Sequence, residues 1–157
     1  MSHVKALVPL EMPAFGQAPR LSEERCRSIL ASVPSGYLAL SQNALPFVVP
    51  VTCVFDGDAL LVRAGLGLLG KVRLQPGVVA FETGGASIDG RSRWEVMVQG
   101  RCELTEEAFE PKRPPQLALV DPSLTTVLRV RIEVLMGWQY GEYAPSLEHS
   151  WSKKEIN

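Results

Sequence analysis

The stretch Val48-Val49-Pro50-Val51-Thr52-Cys53-Val54-Phe55-Asp56-Gly57-Asp58-Ala59-Leu60-Leu61-Val62-Arg63 constrains the fold more than any other part of this chain. Apolar, largely β-branched residues stand on both sides of Asp56-Gly57-Asp58, and an Asp-Gly step turns a chain tightly. Two extended segments joined by so short a turn pair antiparallel. A Gly-rich, helix-like segment carrying Lys71 follows at Gly65 to Leu74, and Trp94 to Gly100 reads as a further strand closed by glycine. A hairpin, a short helix with a basic residue and a Trp-led strand, in that order, suggest a small barrel.

The remaining segments fit the same plan. Leu21-Ser22-Glu23-Glu24 starts a helix, with Ser22 as N-cap and two acids at the positive helix end. Cys26, Ile29, Leu30 and Val33 give that helix one apolar face, and Pro34 and Gly36 stop it. Tyr37–Leu40 is a first strand, Ser41–Ala44 a turn, Phe47–Phe55 a second strand and Ala59–Arg63 a third. The helical segment Gly65 to Gln75 ends at Pro76-Gly77, and Val78–Glu82 is a fourth strand. Thr83-Gly84-Gly85-Ala86 to Ser92 reads as an exposed loop, and Trp94–Leu104 as a fifth strand. Four prolines in 105–125 leave room only for a short helix near Gln116–Val120. Thr126–Leu135 alternates Val127, Arg129, Arg131 and Glu133 against Leu128, Val130, Ile132 and Val134, a half-buried strand ended by Gly137-Trp138. Six closely spaced strands with short helices favour an antiparallel barrel over a doubly wound sheet. Residues 1–20 read as an arm, 21–141 as one domain and 142–157 as a polar tail anchored by Trp151.

Composition narrows the function. The chain has 157 residues, 21% of them charged, with a formal net charge of −1, so no whole-molecule field attracts nucleic acid. No apolar run approaches the about 18 residues that span a bilayer, and the N-terminus lacks the features of a secretory signal. The expected location is the cytoplasm. Cys26, Cys53 and Cys102 are odd in number and widely spaced, which fits buried hydrophobes better than a disulfide framework or a metal site. His3 and His149 lie near opposite ends, which disfavours a histidine base. An enzyme built on this chain would draw its chemistry from a cofactor.

The ordered set Leu21–Cys26, Gly36–Ala39, Leu45–Val51, Asp56-Gly57, Gly70-Lys71, Val79–Glu82, Trp94–Gly100 and Val130-Arg131-Ile132 through Gly137-Trp138 resembles the FMN-binding split-barrel proteins. These form the pyridoxamine 5′-phosphate oxidase-like group, and the nearest likeness is to its nitroimidazole-resistance-protein-like subgroup. The resemblance implies a mainly β protein, a six-stranded antiparallel split barrel with short flanking helices. It implies a homodimer with cofactor sites at the interface, and an FMN-dependent oxidoreductase acting on a small organic substrate. A non-catalytic protein that binds a flavin or another phosphorylated ligand on the same barrel is the alternative. Some relatives use a deazaflavin coenzyme or haem, and haem is disfavoured here because no mid-chain histidine exists as an axial ligand.

The resemblance also implies a site. Pro50, Val51, Thr52 and Cys53, with the rest of their strand, would lie along the isoalloxazine and offer backbone groups to its polar edge. Val62, Arg63 and Ala64 would line the ribityl chain and phosphate, and Gly70 and Lys71 would meet the phosphate at the helix start, where charge and backbone donors add. Trp94 and Glu95 would open the strand facing the flavin. Several of these residues have a second reading. Lys71 suits a solvated surface, Arg63 a rim ion pair, and Trp94 the cap of a core. Glu95 stands where relatives carry a neutral side chain; near a flavin it would disfavour the anionic reduced ring, and pointing outward it would pair with Arg93 or Arg129.

Overall fold

The computed structural model describes residues 19–63, 77–106 and 127–141. The expected helices at 65–75 and 116–120, most of the arm and the tail with Trp151 lie outside them. Helix α1 (Glu23–Ser32) begins as its sequence dictates: Ser22 is the N-cap and its hydroxyl accepts the Arg25 N–H. Cys26, Ile29 and Leu30 are buried, while Val33 serves as the C-cap.

Seven strands follow: β1 (Ser35–Gln42), β2 (Leu45–Phe55), β3 (Ala59–Arg63), β4 (Val78–Ala86), β5 (Ser92–Thr105), β6 (Val127–Arg131) and β7 (Val134–Gly141). They pair antiparallel in the order β4-β1-β2-β3-β6-β5-β7, and a further β4–β5 pairing closes the first six into a barrel. The barrel interior is filled by Leu38, Val51, Leu60, Val62, Phe81, Val96, Val98, Leu128 and Val130, with α1 contributing Cys26, Ile29 and Leu30. The short segment at Pro19–Leu21 pairs with β7, through Leu21 N–H to Gly137 and Gln139 N–H to Pro19, and so covers that strand's outer edge.

The six-stranded barrel agrees with the sequence; three details do not. Of the loop expected from Thr83 to Ser92, the first four residues are sheet instead, and the turn is confined to 87–91. Thr83, Gly84, Gly85 and Ala86 continue β4 opposite Val96, Glu95, Trp94 and Arg93. The two glycines are there for space: a Cβ on Gly85 would lie 2.7 Å from the Trp94 ring, which occupies that room itself. The single strand expected over Thr126–Leu135 is broken at Ile132-Glu133, and beyond the break β7 continues through Gly137-Trp138. Cys102 pairs with Val130 and Gln99 with Val134, so Gly100 and Arg101 stand opposite Arg131, Ile132 and Glu133. This is a β-bulge, one extra residue on one strand, which bends the chain so that its first half closes the barrel and its second half leaves it. With β7, the sheet has one strand more than the six expected.

The β2–β3 turn is held from three sides. Asp56 Oδ1 accepts the N–H groups of Asp58 and Ala59, Asp56 Oδ2 accepts from Arg129 at 2.8 Å, and Arg27 on α1 donates to the Gly57 carbonyl at 2.8 Å. Partial burial alone would raise the Asp56 carboxyl, but the two backbone donors and the Arg129 guanidinium outweigh it and hold it below the usual carboxylate range. A carboxyl lowered on folding contributes stability above its unfolded pKa and loses it as pH falls through the folded value. We therefore expect Asp56→Asn to cost about 1–2 kcal/mol at neutral pH. Urea titrations of the two proteins should converge below the ordinary carboxylate range; a gap that persists in acid would place the effect in packing rather than charge.

Candidate functional site

On β2 the alternation of a strand separates the candidate residues. Val51 and Cys53 point into the barrel with Val62 of β3, all of them buried. Pro50, Thr52 and Arg63 share the outer face, with Thr52 in register between Ser35 of β1 and Arg63 of β3. Thr52 is nonetheless 4% exposed, and among the described residues its hydroxyl has no hydrogen-bond partner. Arg63 beside it is half-buried. Backbone register sets Thr52 opposite Arg63 on this face, and a hydroxyl and a guanidinium are both donor types suited to an oxygen-rich, anionic group. Ala64, Gly70 and Lys71 lie outside the described residues.

The cysteines take no part in chemistry of this kind. Burial pushes the Cys53 thiol up to about 12 and the Cys102 thiol up to about 11, the latter helped by the charge of Glu103. Cys26 is raised as well, by burial first and then by Glu23. All three are free and buried, and none supplies a thiolate at neutral pH.

β5 divides Trp94 from Glu95. Trp94 points inward and fills the core over Gly85 at 7% exposure, the core-capping role of its two readings. Glu95 points outward and pairs with Arg93 at 2.9 Å, and its charge acts on the Tyr140 hydroxyl. Glu82 of β4 faces the same group. Its Oε1 and the Glu95 Cγ lie 3.2 and 3.3 Å from where a Cβ on Gly84 would stand. Burial raises the Glu82 carboxyl and the Glu95 charge raises it further, against a smaller opposing effect of Arg93. Burial also raises the Tyr140 hydroxyl, again with help from Glu95.

The structure thus brings Thr52 and Arg63 together and keeps them apart from Glu95, since β1 and β4 lie between β2 and β5 in the sheet. Sequence reasoning named Tyr140 only as one of three possible tyrosine donors, and it placed neither Tyr140 nor Glu82 beside Glu95. Their neighbours are set by the registers Glu82↔Met97 and Arg93↔Tyr140, which join residues far apart in the chain. The one local signal was Glu82 itself, a charge at the end of the apolar run Val78–Phe81.

Two comparisons, with solved structures and with a family model, place this fold among known proteins. Solved structures share the fold: a FAD-binding protein from Mycobacterium smegmatis, at TM-score 0.60 and 20% identity, matches over 78% of this chain and 98% of its own. A FAD-binding protein from Mesorhizobium loti matches at TM-score 0.61 and 22% identity, over 80% of this chain and 98% of its own. A candidate 5-nitroimidazole antibiotic resistance protein from Bacteroides thetaiotaomicron matches at TM-score 0.59 and 14% identity, over 80% and 89%. Curated proteins give no match. The family model described as pyridoxamine 5′-phosphate oxidase matches residues 22–136, from the N-cap of α1 to the middle of β7. With the closed barrel and its bulged outer strand, that match over most of the chain means that this protein belongs to the pyridoxamine 5′-phosphate oxidase family.

Proposed function

We propose that this protein binds a flavin, FMN in the first instance, and serves as an oxidoreductase that passes electrons to a small organic acceptor in the cytoplasm. The observation that carries the reading is the pairing of Thr52 and Arg63 on the outer face of β2 and β3, in a chain of this family. Two of the similar structures are FAD-binding proteins, which supports a flavin over other phosphorylated ligands. The residues fit such a group. A buried hydroxyl with no partner among the described residues, with Arg63 in register on the next strand, would face its oxygens, and the apolar outer row beginning at Pro50 and Tyr37 would shield one face of its ring from water. When bound, a flavin takes up electrons from a donor and returns them to an acceptor. The chain's own part is to bind and orient, since its thiols stay protonated.

The test is a visible spectrum of the purified protein after addition of FMN or FAD. Yellow protein that bleaches with a nicotinamide donor and recolours with a small acceptor supports the oxidoreductase, and colour without turnover supports a carrier. No colour with either flavin overturns both. Among the described residues, no helix is long and apolar enough to cross a membrane.

The site is proposed to be completed by a second copy of the chain. Tyr37, Val48 and Val78 are 53%, 65% and 51% exposed. Register places Tyr37 beside Pro50, and Ala39 between Val48 and Ala80, so these residues form one apolar outer surface over β4-β1-β2, bordered by Glu82. A monomer seldom leaves so continuous an apolar face to water. Val48→Glu, on an already exposed position, should leave the fold intact by circular dichroism and give a monomer in light scattering. A Val48→Glu protein of unchanged mass would remove this face as the interface.

A further inference from the structure

Glu82 is a half-buried carboxylate that makes no hydrogen bond or ion pair among the described residues. Register sets it between Tyr37 of β1 and Met97 of β5, at the margin of the apolar outer surface over β4-β1-β2. Two residues on, Gly84 has no side chain, and two acids fill the room it leaves. Glu82 Oε1 and Glu95 Cγ lie 3.2 and 3.3 Å from where a Cβ on Gly84 would stand. The groups that face Glu82 are few. β5 brings Glu95 and Arg93, which pair with each other at 2.9 Å. β7 brings Tyr140, in register with Arg93, and β1 brings Tyr37. Neither β1, β7 nor the rest of β4 carries a charge. Burial and the Glu95 charge already favour the protonated carboxyl, against a smaller opposing effect of Arg93.

We infer that Glu82 is a proton-operated control on self-association: with its carboxyl neutral the outer face closes against a second copy, and with it ionised the contact loosens. The inference rests on the dimer reading above and adds to it a regulation. The occupant is a second copy because the surface is apolar across three strands, as an isologous contact requires, and a formal net charge of −1 puts little repulsion between copies. Docking takes water away from Glu82. An ionised carboxylate without a partner resists that strongly, and a neutral carboxyl far less. The chain offers no free cation in compensation, since Arg93 is engaged by Glu95. Each chain therefore takes up a proton on docking wherever the free carboxyl is ionised. Association is strongest below the pKa of the free chain's carboxyl and weakens as the pH rises through the higher value in the dimer.

The experiment is sedimentation velocity on the full chain, fluorescence-labelled and serially diluted, from about pH 5 to about pH 8, a span in which a raised carboxyl titrates. The dissociation constant should rise at least about tenfold between the two ends, as linkage to a proton on each chain requires. Glu82→Gln keeps the shape without the charge and should hold the acid-side affinity throughout. Glu95→Gln removes the like charge and frees Arg93 for Glu82, so the profile should move to lower pH. Glu103→Gln, in an exposed pair with Arg131 where β5 meets β6, should keep the parent's profile. A parent dimer with a flat profile overturns the inference and leaves the dimer reading in place. So does a Glu82→Gln protein that keeps the parent's pH dependence, an unmoved profile in Glu95→Gln, or a flattened one in Glu103→Gln. A parent that sediments as a monomer at every pH and concentration overturns the dimer reading, and the inference with it.

Discussion

Gly100→Ala is expected to abolish the folded barrel. A Cβ at this position would stand 1.6 Å from the Arg131 carbonyl oxygen, 2.8 Å from the Arg131 carbonyl carbon and 3.4 Å from the Glu133 nitrogen. These are backbone atoms of the bulge, so no side chain can swing aside to make room. Arg131 is held in β6 by its pairing with Ala59, and Glu133 by its N–H bond to the Gln99 carbonyl at 3.0 Å. Relief would mean undoing the bulge, and with it the point where the strand passes from barrel to outer sheet. The cost should exceed about 4 kcal/mol, the exceptional end of single substitutions and a large share of the stability of a domain this size. Circular dichroism and urea unfolding decide it. An alanine variant with an unfolding free energy within about 1 kcal/mol of the parent would mean that β6 and β7 do not approach β5 as described.

Phe81→Ala should be the most damaging truncation in the core, costing about 3–5 kcal/mol. Phe81 is fully buried and is the largest of the fully buried side chains. Its ring lies over Gly36: a Cβ there would meet Phe81 Cζ at 2.4 Å. The cavity left by the alanine cannot be refilled from Gly36. A methyl on residue 36 would also stand 2.4 Å from the Glu82 carbonyl oxygen, which belongs to the paired β4 backbone. The double variant Gly36→Ala/Phe81→Ala should therefore unfold at lower denaturant than Phe81→Ala alone. Rescue by the second substitution would show that the ring, and not the strand backbone, sets the limit at Gly36.

Both positions show where a sequence stops informing. Phe81 stands in the alternating run Val79-Ala80-Phe81-Glu82, and period-2 patterning by itself assigns it to the core. Gly100 is visible as a glycine at the end of an apolar run. That it must be glycine depends on a carbonyl thirty-one positions further along the chain, at Arg131.

The same division runs through the candidate site. The sequence alone determined what local physics controls. Ser22 caps α1 because its hydroxyl reaches the N–H three residues on. Asp56 shapes the β2–β3 turn because its carboxylate reaches the next two N–H groups after Gly57. Alternation along β2, β3 and β5 sends Val51, Val62, Val96 and Val98 inward. Only the tertiary structure decided that Thr83–Ala86 is sheet, since that depends on Trp94 laying its ring over Gly85. Tertiary structure also decided that the strand after Val127 bends at Ile132-Glu133, that Glu95 is held by Arg93, and that the Thr52 hydroxyl is buried on a strand in register with Arg63. The physical reason is the range of the interactions. Caps, turns and side-chain alternation act over a few residues and are written in neighbouring positions. Barrel closure, bulge placement and the pairing of charges across strands depend on which distant segment arrives alongside, which is fixed only when the whole sheet closes on its core.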